Sequence, residues 1–235
     1  MQIRLIHGFT QTAESWDRVE ARLPRDWDVQ ALEVPDGLDF VATSEAIGQR
    51  GGGAGTWVGY SMGARLCLRL ALDQPEVVLR LVLVSGTAGI RSSGERRARR
   101  ASDEQLAADA ERDGVEAFLE RWLDQRLFET LPRQAAMLDE RRRGNTVHRL
   151  VHQLRALGQG MQAPMWDQLG TLAMPVLLVS GQWDRTYGEL AEQMTAAIGE
   201  NATHVTVPKA GHSVHLERPD ELAQLLTTWL EGATE

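Results

Sequence analysis

A serine, an aspartate and a histidine that could transfer protons together occur in that order along the chain, at Ser61, Asp184 and His212. A serine hydroxyl is too weak an acid to react alone near neutral pH. It needs an imidazole to take its proton, and the imidazole needs a carboxylate to orient it and to balance the charge it gains. Ser61 stands in Gly59-Tyr60-Ser61-Met62-Gly63. That G-x-S-x-G spacing puts a serine on a sharp strand-to-helix turn, between residues that carry no side chain to clash. Asp184 ends Gly181-Gln182-Trp183-Asp184, and His212 ends Pro208-Lys209-Ala210-Gly211-His212. Asp36 and Asp39 are weaker rivals for the acid. Near the start, His7-Gly8-Phe9 follows an apolar run, so the backbone N–H groups of Phe9 and Met62 can converge as an oxyanion hole. His7 itself is read as a brace for that loop.

Elements that could position these groups are visible as short apolar runs alternating with helical patterns, which indicates a parallel sheet covered by helices. Strands are predicted at 3–6, 27–32, 56–60, 79–84, 175–180 and 202–207, rich in Val, Leu and Ile as buried parallel strands are. Helices are predicted after Ser15 and at 64–72, 188–198 and 219–230. The last opens with proline and acidic residues suited to a first turn. Serine, acid and base then each follow a strand, at one end of the sheet. Residues 86–167 contain no convincing strand. Val115, Phe118, Leu119, Trp122 and Leu123 mark one apolar helical face there. The expected organisation is a core of 1–86 and 167–235 with a helical cap of 87–166.

Composition narrows the functions. The 235 residues are 43% hydrophobic and 25% charged, with a net charge of -8, ordinary for a globular protein and unfavourable for binding nucleic acid or anionic membranes. Lys209 is the only lysine among 25 basic residues, so the positive charge is almost all guanidinium. Cys67, the single cysteine, excludes an intrachain disulfide framework and an all-cysteine metal site. His148 and His152 lack the glutamate and third ligand of a zinc motif, so no metal is expected. The glycines from Gly51 to Gly55 lack the Lys-Ser/Thr of a phosphate loop. No secretory signal is read at the N-terminus, and no apolar run is long enough to span a bilayer. A cytoplasmic protein, monomeric or weakly self-associating, is the expectation.

Taken together, these segments resemble the α/β-hydrolase superfamily over essentially the whole chain. A closer resemblance lies in the insertion. Ser85-Gly86-Thr87-Ala88-Gly89-Ile90, the run from Glu95 through Arg99 and Arg100 to Asp103, then Phe118-Leu119-Glu120-Arg121-Trp122, Leu127-Phe128, Gly158-Gln159-Gly160-Met161-Gln162 and Trp166-Asp167-Gln168-Leu169 follow in the order of one family. That family is the menaquinone-pathway lyases, the 2-succinyl-6-hydroxy-2,4-cyclohexadiene-1-carboxylate synthases. Two stretches differ from the family pattern. Glu33-Val34-Pro35-Asp36-Gly37 replaces Asp-Leu-Pro-Gly-His-Gly, and Asp184-Arg185-Thr186-Tyr187 replaces Asp-x-Lys-Phe.

The resemblance implies a cofactor-free lyase. Its small anionic substrate, a cyclohexene bearing a carboxylate, a succinyl group and an enolpyruvyl ether, loses a ring proton and pyruvate. Ser61, activated by His212 and Asp184, would be the base, directly or in relay. Guanidinium–carboxylate pairing would hold the substrate. By motif position Arg99 and then Arg143 are the anchors, Tyr60 and Trp122 the walls, with Gln162 and Arg91 as further contacts. Two alternatives share the triad or the fold: a Ser-His-Asp carboxylesterase or carbon–carbon bond hydrolase, and a binding protein without catalysis.

Overall fold

A computed structural model describes residues 1–232 of the chain. Six strands form one sheet: β1 (Gln2–Ile6), β2 (Asp28–Leu32), β3 (Gly55–Tyr60), β4 (Val78–Val84), β5 (Val176–Gly181) and β6 (Ala202–Val207). Their order is β2-β1-β3-β4-β5-β6, and every neighbouring pair is parallel. All six predicted strands are present, with ends shifted by at most one residue.

The side-chain period of two divides the strands between two cores. Trp57, Leu81, Leu83, Val176 and Leu178 face one way. There they meet helix α2 (Phe40–Arg50) through Ile47, α3 (Met62–Asp73) through Leu66 and Leu70, and α7 (Arg185–Ile198) through Met194. Val58, Tyr60, Val82, Val84, Leu177 and Val179 face the other way. They pack on Val19 of α1 (Asp17–Glu20) and on Leu222 and Leu226 of α9 (Pro219–Gly232). Helix α2 is an element that the sequence reading did not predict. Asp39 caps it by accepting from the Ala42 N–H at 2.9 Å, but its inward face mixes Phe40 and Ile47 with buried Thr43 and Ser44, which interrupts the apolar period.

Between β4 and β5 lie α4 (Ser93–Leu123), α5 (Leu138–Gly144) and α6 (Val147–Leu157). Gly114, at φ 79°, breaks α4 into two helical stretches, a conformation that glycine adopts without Cβ strain. These helices bury side chains on one another, Ala107, Ala110, Phe118 and Leu119 against Leu150 and Leu154. Their arginines largely meet carboxylates on the surface, as in Arg155 with Glu104 and Glu111. A short helix α8 (Val214–Glu217) follows β6. Among the described residues no helix is long and apolar enough to cross a membrane.

Candidate active site

Ser61 lies between β3 and α3 at φ 52°, ψ -105°, a strained conformation for a residue with a Cβ. Close packing explains the glycines around it. A Cβ on Gly59 would run into the Gly63 carbonyl, and one on Gly63 into the carbonyls of Ile6 and His7. The turn is tied to the next strand by the Ser61 N–H, which donates to Val84 O at 2.9 Å.

The three predicted side chains meet. Ser61 Oγ is 3.2 Å from His212 Nε2, and His212 Nδ1 is 2.7 Å from Asp184 Oδ2. Asp184 caps α7 through its other oxygen, which accepts from the Tyr187 N–H at 3.3 Å. The histidine loop is clamped by Glu217, whose two oxygens accept from the N–H groups of Gly211 (2.8 Å) and Ser213 (3.0 Å). Ser85 Oγ donates to His212 O at 2.9 Å. Rings of Tyr187 (4.4 Å between centroids), Tyr60 (5.4 Å) and Phe128 (6.1 Å) surround the imidazole. The carboxylate, imidazole and hydroxyl thus form a connected proton path with little rotational freedom.

That path opens on a cavity of about 220 Å³ between the sheet and the α4–α6 helices. Phe9 and Met62 both line it. Met62 is the first residue of α3, where N–H groups lack an intrahelical acceptor. Neither its amide nor that of Phe9 donates within the hydrogen-bond network of the described residues. Phe9 packs edge-on against Trp122 at 4.8 Å, and Trp122 and Tyr60 are cavity walls. Burial pushes the Tyr60 phenol well above its ordinary range, opposed by its contact with Ser213. It therefore stays neutral. His7 is fully buried and braces the loops: its Nε2 accepts from the Val34 N–H at 3.1 Å, and Nδ1 lies 2.8 Å from Gly8 O.

The polar lining differs in part from the sequence reading. Arg99 lines the cavity, its Nε donating to Asp103 at 2.8 Å and its Nη1 to Gln159 at 3.2 Å. Gln159 continues to the Tyr187 hydroxyl at 2.9 Å, which links this arginine to the ring beside His212. Arg143 does not reach the cavity. It is exposed and meets Glu14 at 3.4 Å. Arg141 lines the cavity instead, because two residues on a helix turn a side chain by about 200°. Arg141 Nε donates to Ala136 O at 2.7 Å, its Nη1 bonds Thr10 Oγ1, and Nη2 has no partner. Burial lowers its guanidinium to about 10, so it remains charged at neutral pH.

Arg91 is also placed elsewhere. It stacks on Trp166 at 3.6 Å and donates to Gln193 at 3.1 Å. Gln162 is buried behind the lining, where its Oε1 accepts from Arg65 Nη1 at 3.0 Å. A carboxamide oxygen there offsets part of the desolvation of a guanidinium. Arg65 itself lines the cavity and was missed from sequence; burial lowers it to about 10. Its place one turn after Ser61 was the available signal. The rival acids are placed apart from the path: Asp36 faces Arg149 at 3.5 Å, and Asp39 caps α2.

A family model described as the alpha/beta hydrolase family matches residues 5–225. A Bacillus subtilis (strain 168) protein carrying the provisional name 2-succinyl-6-hydroxy-2,4-cyclohexadiene-1-carboxylate synthase is 30% identical over 246 residues, covering 96% of this chain and 88% of that protein. The Enterobacter sp. (strain 638) protein of the same name is 29% identical, covering 94% and 88%. Among solved structures, MenH from S. aureus superposes with a TM-score of 0.92 at 22% identity, over 100% of this chain and 95% of that one. An esterase from Thermogutta terrifontis superposes at 0.80, also at 22% identity, over 99% and 90%. At that identity both structures speak for the fold.

Proposed function

The chain belongs to the alpha/beta hydrolase family and to its 2-succinyl-6-hydroxy-2,4-cyclohexadiene-1-carboxylate synthases, and from that premise we propose that it is a pyruvate-eliminating lyase of menaquinone biosynthesis. The substrate is 2-succinyl-5-enolpyruvyl-6-hydroxy-3-cyclohexene-1-carboxylate. The observation that carries this reading is charge: three arginines, Arg65, Arg99 and Arg141, against one carboxylate, Asp103, line the cavity that Ser61 faces. A neutral ester gives such a lining nothing to pair with. A tricarboxylate does.

The chemistry follows from the bonds that change. The ring carbon beside the succinyl ketone loses its proton, the ring double bond shifts, and the bond between ring carbon 5 and the enolpyruvyl oxygen breaks, leaving a 2,4-diene and enolpyruvate, which becomes pyruvate on taking up a proton. His212 takes the Ser61 proton as Ser61 Oγ takes the ring proton, so the net proton rests on His212 and Asp184 balances the imidazolium; that proton is returned as the departing enolpyruvate becomes pyruvate. As the proton leaves, negative charge moves onto the ketone oxygen. The Phe9 and Met62 amides act as the oxyanion hole for that enolate, as they would for the oxyanion of acyl transfer. Hydrolase geometry therefore serves an elimination, and no water is consumed. The helices over the cavity act as a cap that keeps water out and the carboxylate pairs strong.

The test is pyruvate release from this substrate, run beside hydrolysis of a short-chain aryl ester. Rapid pyruvate release with negligible ester turnover is the expected result. Ester turnover without pyruvate would replace the lyase with the carboxylesterase.

A further inference from the structure

Gln153 lies on the buried face of α6, among Leu150, Leu154 and Leu157. It lines the cavity and is 2% exposed, yet neither its Nε2 nor its Oε1 has a hydrogen-bond partner among the described residues. A buried polar group without a partner is destabilising, and this carboxamide leaves two such atoms. The other buried residues of that helix are Leu150, Val151, Leu154 and Leu157, so leucine or methionine would fill the position at lower cost. The two unpartnered atoms are accounted for if a ligand bonds to them.

We propose that Gln153 determines specificity for a hydroxyl that stands next to an acceptor oxygen on the substrate ring. The inference rests on the proposed lyase reading and deepens it. Carboxylates alone are an incomplete match: they would accept from Nε2 and leave Oε1 facing like charge. A cationic group would have the opposite defect. A hydroxyl beside a carboxylate satisfies both atoms, donating to Oε1 while the carboxylate accepts from Nε2. The substrate carries that pair on adjacent ring carbons, the 6-hydroxyl and the 1-carboxylate. Arg65, Arg99 and Arg141 supply charge but cannot accept a hydrogen bond, and Asp103, whose Oδ2 is the other unpartnered acceptor of the lining, carries no donor for a carboxylate; among the unpartnered groups of the described lining only Gln153 offers both.

The experiment compares wild type, Gln153→Met and Gln153→Leu on the parent substrate and on its 6-deoxy analogue, with thermal unfolding of each protein. Wild type should prefer the parent by about 10- to 100-fold in kcat/KM, the effect of a buried polar pair left unmet. Both variants should bring that preference close to unity while melting at or above the wild-type temperature. A variant that keeps the full preference, or that melts well below wild type, overturns the role of Gln153 and leaves the lyase intact. Absence of pyruvate release by wild type overturns both readings together.

Discussion

The two walls of the cavity are built to different rules. On the sheet side, Ser61, His212, Tyr60 and Tyr187 each have a hydrogen-bond partner within the protein. On the helical side, Asp103 Oδ2, Trp122 Nε1, Arg141 Nη2 and both amide atoms of Gln153 are buried without one. Those are all the unpartnered buried side-chain atoms among the described cavity-lining residues, and none comes from the sheet. The difference fits the two tasks that the proposed function requires. A proton path must be assembled before the substrate arrives, since reorganising it during reaction would raise the barrier. A recognition surface has to leave donors and acceptors open, because bonds satisfied internally would compete with the ligand.

The sharpest way to break this comparison is to remove the sheet-side chemistry. Ser61→Ala should lower the pyruvate-release kcat on the order of 10³-fold or more, with little change in melting temperature. Asp184→Asn should cost about as much through the wrong imidazole tautomer. A loss under tenfold in Ser61→Ala would mean that another group takes the ring proton. On the helical side, Arg141→Ala should reduce kcat/KM about 10- to 100-fold, mainly through KM, whereas Arg143→Ala should stay within about twofold, the usual range for a surface position. Steady-state kinetics on both variants decides which arginine holds a carboxylate. The reverse ranking would show that α5 turns its other face inward.

The smallest effect concerns His215, the fully buried histidine beside the path. Burial first, then the charges of Arg141, His212 and His7, keep its imidazole well below the ordinary histidine range. The unfolded chain takes up this proton near about pH 6.5 and the folded chain does not. Below that pH the unfolded state therefore binds more protons, and stability falls as the pH falls. His215→Gln removes the titration, so its melting temperature should decline less than that of wild type between about pH 6.5 and 5. Parallel curves for the two proteins would assign the acid sensitivity to other groups.

Much of the sheet side was legible because its signals are local. Six Val/Leu/Ile runs matched six strands, and Gly59, Ser61 and Gly63 specify a turn within five residues. Asp184 and His212 could be named because each follows a strand of a parallel sheet, so topology alone brings them to one edge. Helix α2 escaped because polar Thr43 and Ser44 sit on its inner face. On the helical side only Arg99 and Trp122 were both named and placed in the cavity.

Sequence alone therefore determined the order of the six strands along the chain and the members of the Ser61–His212–Asp184 chain, since short-range backbone sterics and apolar periodicity act over a few residues. Only the tertiary structure decided that Arg141 rather than Arg143 enters the cavity, that Gln162 serves Arg65, and that Gln153 is left unpaired. Those outcomes depend on the rotational phase of a helix, 100° per residue. They depend also on contacts across the chain, such as Arg141 with Thr10, 131 residues apart. No pattern confined to a short window encodes such a contact.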